Sequence, residues 1–234
     1  MISRELAVVA FLAIAAHGVR ADESELIEPV RPYVRGVVDS IDSLPAERKD
    51  KLSRVAEYIA ARVADGETAK LVFICTHNSR RSHLSQIWCQ TAAAYYGVPR
   101  VATYSGGTEA TACNIRTIRA LRRAGLSAVA STEGENPVYL VQYSELRPPI
   151  RAYSKVYSQE GNPTSEFAAM MCCSDADREC PDVAGADGRF PLHYEDPKVA
   201  DNTPEEAQRY DERSLEIARE MFFLMAEVLR RLGN

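Results

Sequence analysis

The sequence predicts an α/β fold built on a parallel sheet. Two observations carry that prediction. From Lys70 onward, strand-like apolar runs alternate with amphipathic helical runs, and short polar loops join them. Strand–helix–strand–helix order also implies right-handed crossovers between parallel neighbours.

The elements follow in chain order. "MISRELAVVAFLAIAAHGVRADE" carries Arg4, an unbroken apolar run from Leu6 to Ala16, and then Gly18 and Val-Arg-Ala. That pattern predicts a secretory leader, residues 1–21, cleaved after Ala21. A buried N-terminal helix or a retained anchor is the alternative to a cleaved leader, and a cytoplasmic chain the alternative to an exported one. The run is too short for a comfortable membrane span, so no membrane association is expected once the leader is gone. Residues 22–66 form a helical extension. Leu52, Val55, Ala56, Ile59, Ala60 and Val63 share one helical face, with Pro45 placed to open that helix and Gly66 to close it.

Residues 67–234 read as the main domain, and the chemistry of the chain is expected there. "KLVFIC" at 70–75 reads as a buried strand, and "SHLSQIWCQTAAAYYG" as a helix stopped by Gly97. "RVATYSGG" is a second strand. "ACNIRTIRALRRAG" is a second helix with Ile115, Ile118, Leu121 and Ala124 on its buried side. "NPVYLVQY" and "IRAYSKVY" read as two strands of a Tyr-rich insert near 137–165, and "EFAAMMCCS" as another apolar strand. The last helix should start at Thr203, with Pro204 and Glu206 completing its start and Arg230 and Arg231 near its end.

The totals narrow the function. Of 234 residues, 46% are hydrophobic and 26% charged, as in ordinary globular proteins. A formal net charge of −5 argues against a broad nucleic-acid surface but permits a local basic pocket. No repeat or low-complexity tract is present, and neither a metal nor a cofactor is expected.

The chemistry concentrates after the first strand. Ligands in open parallel sheets bind beyond the carboxyl ends of strands, where helix N-termini converge. The segment Cys75-Thr76-His77-Asn78-Ser79-Arg80-Arg81-Ser82 lies at such an end. Unpaired N–H groups at a helix N-terminus favour an anion, and the same field with a nearby arginine favours a thiolate over a thiol. Cys75 is therefore the candidate nucleophile. Arg81 would bind two oxygens of a tetrahedral guest, Ser82 would donate to the sulfur, and Asn78 would hold the loop curled.

"VFICTHNSRRS" resembles the phosphate-binding loop, Cys-x-Gly-Asn-x-Cys-Arg-Ser, of low-molecular-weight protein tyrosine phosphatases and of the arsenate reductases that share their fold. The match covers Cys75, Asn78, Arg81 and Ser82; His77 stands where the family has glycine, and Arg80 where many members have a second cysteine. The resemblance implies a four-stranded parallel sheet with helices on both faces. It assigns oxyanion binding to residues 76–82. "CSDADRECP" is similar to a segment of the thioredoxin-coupled arsenate reductases. Carried over, Cys173 would attack Cys75 to release arsenite, and Cys180 would attack Cys173, leaving a disulfide for a thioredoxin-like reductant. Asp196, before Pro197, matches the family's general acid; Glu195 is the competing carboxylate, and His193 is read as a hydrogen-bonded structural residue. Cys89 and Cys113 fall on predicted helices as small apolar groups, and Cys172 should face away from Cys173.

Two enzymatic readings result. The first is arsenate reduction through the Cys75, Cys173 and Cys180 relay, acting on arsenate. The alternative is hydrolysis of phosphomonoesters, with protein phosphotyrosine as substrate and the extra cysteines protecting the nucleophile. A third, an oxyanion-binding or redox-sensing module without catalysis, leaves a nucleophile and an acid unexplained. The relay needs a reducing partner, whereas export leads to an oxidising compartment. Hydrolysis consumes no reducing equivalents.

Overall fold

A computed structural model describes residues 21–180 and 182–233, so the expected leader falls outside the described residues except for Ala21. The chain opens with α1 (Arg31–Asp39) and α2 (Ala46–Ala64). All six residues of the predicted apolar face of α2 are buried. Gly66 closes the helix at φ +80°, a backbone state open to glycine without strain.

Next come β1 (Ala69–Cys75), α3 (Arg81–Tyr95), β2 (Val101–Gly107) and α4 (Ile115–Arg123). The insert supplies β3 (Ser127–Ala130), β4 (Tyr139–Gln142) and β5 (Ile150–Ala152), and the chain ends with β6 (Phe167–Met171), α5 (Ser174–Glu179), β7 (Ala186–Pro191) and α6 (Glu206–Arg231). The main sheet has four parallel strands in the order β2-β1-β6-β7. β6 is buried at every position and β1 at six of seven, so both faces of the central pair are covered. Helices flank the sheet: α3 packs on β1 and β2, α2 on β1 and β7, and α5 on β1 and β6. α6 lies across α1, α2, α3 and α4 and joins the N-terminal helices to the rest. Among the described residues, no helix is long and apolar enough to cross a membrane.

Several elements differ from the sequence reading. β7 was not foreseen, because half-buried and exposed positions alternate through "ADGRFP" with none fully buried, and Gly188 interrupts the pattern. β3 was also missed; it gains its hydrogen bonds only by pairing with β4 in a three-stranded antiparallel sheet. The expected strand over 150–157 stops at Ala152, and Val156 then bridges Gly107 in parallel sense. Ile115 is partly exposed rather than buried, since it opens α4. α6 begins at Glu206, not Thr203. The Thr203 hydroxyl donates back to the Ala200 carbonyl, and the Glu206 carboxylate accepts from the Asn202 N–H and pairs with Arg116.

One buried ion pair fastens the N-terminal helices to this frame. Arg48 of α2 donates to Glu220 of α6 (2.7 Å) and to the Leu192 carbonyl (3.2 Å), and Glu220 also accepts from the Tyr194 hydroxyl (2.7 Å). Removing one member of such a pair leaves the other charge buried without its partner. Arg48→Ala should therefore cost roughly 3–5 kcal/mol in urea unfolding. A loss below about 1 kcal/mol would show that the extension is not anchored here.

Candidate active site

The loop between β1 and α3 is held by its carbonyls. The Cys75 carbonyl accepts from the Thr108 N–H (3.1 Å) and the Thr76 carbonyl from the Glu109 N–H (2.9 Å). The His77 carbonyl accepts from the hydroxyls of Ser154 (2.9 Å) and Thr111 (3.2 Å), and that of Ser79 from the Asn114 N–H (3.0 Å). These bonds turn the oxygens away from the centre of the curl. The backbone N–H groups of residues 76–83 donate to no acceptor among the described residues. A row of free donors at a helix N-terminus is an anion cradle.

Asn78 makes the turn. It sits in the left-handed region at φ 44°, a conformation asparagine tolerates better than most side chains, and it is fully buried. Its Oδ1 accepts from the Lys155 N–H (2.9 Å), and its Nδ2 donates to Ser82 Oγ (2.9 Å). Ser82 Oγ lies 3.1 Å from Cys75 Sγ. Because the serine oxygen already accepts from Asn78, its own proton is free to point at the sulfur.

The charges converge on the same mouth. Arg81 is buried, with one nitrogen 2.8 Å from Asp196 Oδ2 and another donating to the Tyr194 carbonyl (3.2 Å). Its Nε has no partner among the described residues. Asp196 accepts from the Lys198 N–H at 3.0 Å, which fixes the turn through Pro197. Glu195 points outward and meets only Arg213, at 3.4 Å, so of the two rival carboxylates Asp196 is the one against Arg81. His193 is exposed and hydrogen-bonds Asp177 (2.9 Å).

Arg80 corrects the oxyanion set. Its Nε donates to the Tyr210 hydroxyl (2.6 Å) and another nitrogen to Asp201 (3.0 Å), so its charge is spent on α6 and the loop before it. His77 turns outward to Glu109 (2.8 Å) and contributes only backbone to the cradle. Thr76 Oγ1 lies 3.6 Å from Cys173 Sγ. A cleft of about 860 Å³ opens over the loop, bounded by Thr76, Arg81, His193, Asp196 and Arg213.

The remaining cysteines occupy distinct places. Cys172 and Cys173 face opposite ways, the first toward Ser85 of α3 (3.7 Å) and the second toward Thr76. Burial, with the nearby Cys75, pushes the Cys172 thiol up. The polar segment read as a flexible turn is a helix: α5 runs from Ser174 to Glu179 with Cys173 and Cys180 as its flanking caps, and Asp175 and Asp177 are favourable in its first turn. Burial and the adjacent Glu179 push the Cys180 thiol up. Cys89 is buried on α3. Cys113 is also buried but precedes α4, because Asn114 caps that helix.

Sequence reasoning missed four supports. Gly107 is required by contact: a Cβ there would lie 2.6 Å from the Thr76 carbonyl and 2.8 Å from the Asn78 nitrogen. The glycine pair ending "RVATYSGG" was the available sign. Asp201, Tyr194 and Arg213 carry no local sign, since each acts across a gap in sequence.

No family model and no curated protein matches the chain. Its fold is similar to that of several solved structures at low identity. A low-molecular-weight phosphotyrosine phosphatase from Vibrio cholerae O395 is 12% identical, with a TM-score of 0.46, covering 71% of this chain and 99% of its own. A low-molecular-weight protein tyrosine phosphatase from T. tengcongensis is 16% identical, with a TM-score of 0.43, covering 70% and 100%. The YwlE arginine phosphatase from Geobacillus stearothermophilus is 14% identical, with a TM-score of 0.42, covering 70% and 93%.

The contacts of Gly107 yield a prediction. Gly107→Ala should displace the loop, weakening inorganic phosphate binding by calorimetry tenfold or more while the far-ultraviolet dichroism is kept. Unchanged phosphate affinity would show that the loop does not depend on this close approach.

Proposed function

We propose that the chain is a phosphomonoesterase that works through a cysteinyl-phosphate, with protein phosphotyrosine as its substrate class. The observation carrying this reading is that one loop holds the Cys75 thiol beside the Ser82 hydroxyl, a row of free N–H groups, and Arg81, whose guanidinium meets Asp196. In the first step the sulfur attacks phosphorus in line with the ester oxygen. The S–P bond forms, the P–O bond breaks, and Asp196 gives its proton to the leaving oxygen. The N–H cradle and Arg81 hold the non-bridging oxygens where charge builds up. In the second step Asp196 takes a proton from water, whose oxygen attacks phosphorus. The thiolate leaves, stabilised by the Ser82 hydroxyl, and inorganic phosphate is released.

Arsenate reduction would use the same Cys75 and Arg81 but needs Cys173 and Cys180 to join. They stand at opposite ends of α5, seven residues apart, which as helix spans roughly 10 Å. A disulfide needs Cα atoms within about 7 Å, so the relay requires α5 to unwind. Hydrolysis requires no such change, and this favours it.

The two readings separate on one preparation. Cys75→Ser should abolish hydrolysis of p-nitrophenyl phosphate, and Asp196→Asn should lower kcat by about 10²–10⁴. Cys173→Ser should leave hydrolysis intact. Steady-state arsenite production with a thioredoxin system, lost in Cys173→Ser, would replace this reading with the reductase. The export reading has its own check: the mature exported chain should begin at Asp22, and a start at Met1 would refute cleavage.

A further inference from the structure

The insert builds a second cavity away from the catalytic mouth. It measures about 310 Å³ and is bounded by Gln86 of α3, Tyr104 of β2, and Arg151, Tyr153 and Lys155 of the insert. No carboxylate is among its lining residues. Lys155 is 95% buried by its 5% exposure, and its ammonium makes no hydrogen bond or ion pair among the described residues; it rests over the Tyr153 ring, 4.5 Å from the centroid. A cation over an aromatic face offsets only part of the cost of taking an ammonium out of water.

The chain cannot relieve this by shifting. The Lys155 N–H is bound to Asn78 Oδ1 (2.9 Å), and its carbonyl accepts from the Gly107 N–H (2.9 Å). One cavity therefore holds a buried cation without an anion.

We propose that this cavity binds a small organic monoanion: a carboxylate on Lys155 and a flat body against the tyrosine rings. A single buried cation matches a single charge. The other groups near it supply no counter-charge. Burial holds His83 neutral, pushing it down to about 3, and keeps Cys113 a thiol, pushed up to about 12. The other ionisable side chains lining the cavity are Arg151, Tyr104 and Tyr153, and none is a carboxylate. Burial pushes Lys155 itself down to about 8, so it is largely cationic at pH 7 and neutral by pH 9.5. The site stands apart from the proposed hydrolysis.

The test uses benzoate as probe, titrated by calorimetry into the full chain with inorganic phosphate saturating the catalytic loop. Saturable one-to-one binding is expected, at least tenfold weaker in Lys155→Met, weaker in Tyr153→Leu, and about tenfold or more weaker at pH 9.5 than at pH 7 as the amine loses its proton. Neutral benzyl alcohol should not compete. If Lys155→Met does not fold, Tyr153→Leu and the pH series on the unaltered chain decide. Absence of saturable binding at millimolar probe, displacement by phosphate, or affinity unchanged by Tyr153→Leu and by pH would overturn the proposal.

Discussion

Everything at the mouth depends on which way the peptide planes of the Cys75–Ser82 loop are turned. Four of its carbonyls are bound from outside, by the segment 108–114 and by Ser154, so their N–H groups are left facing the centre. A peptide plane offers its oxygen on one side and its proton on the other. Holding the oxygens is thus enough to aim the donors. The arrangement needs no charged side chain to assemble. It costs unpaired donors, which an anion satisfies. Gly107 is the point where this scaffold comes too close for any side chain.

Two peripheral parts of the chain act on that loop. The N-terminal extension reaches it through Arg48, Glu220 and Tyr194, whose carbonyl accepts from Arg81. Burial and the neighbouring Glu220 hold the Tyr194 hydroxyl well above its usual range, so it stays a neutral donor. The insert reaches the loop through Ser154 and Lys155. Both parts support a guanidinium or a turn rather than supplying reacting atoms. The same insert strand that pins Asn78 buries the lysine that lines the second cavity.

Arg80 and Arg81 show how adjacent identical residues take different work. Arg81 meets Asp196 at 2.8 Å, whereas Arg80 hydrogen-bonds Tyr210 and Asp201 and reaches Asp196 only at 3.8 Å. Successive residues at the start of a helix are rotated by about 100°, so neighbours must point to different surroundings. A stretch of sequence lists both charges and gives no sign of which one α6 will neutralise. α5 carries the same lesson for Cys173 and Cys180, whose distance apart depends on whether the six residues between them coil.

What the sequence determined by itself was local and periodic. An apolar strand ending in Cys75, a helix N-terminus after it, and the buried face of α2 all follow from patterns within a dozen residues. The loop residues Cys75, Asn78 and Ser82 were legible because they act on one another over seven positions. Tertiary structure alone decided the rest: that β7 is a strand, that Asp196 rather than Glu195 meets Arg81, that Arg80 is neutralised, and that Lys155 is buried without a counter-ion. The reason is physical. Strand pairing, ion pairing and desolvation join residues far apart in sequence, and their sign depends on what lies opposite, which no local pattern records.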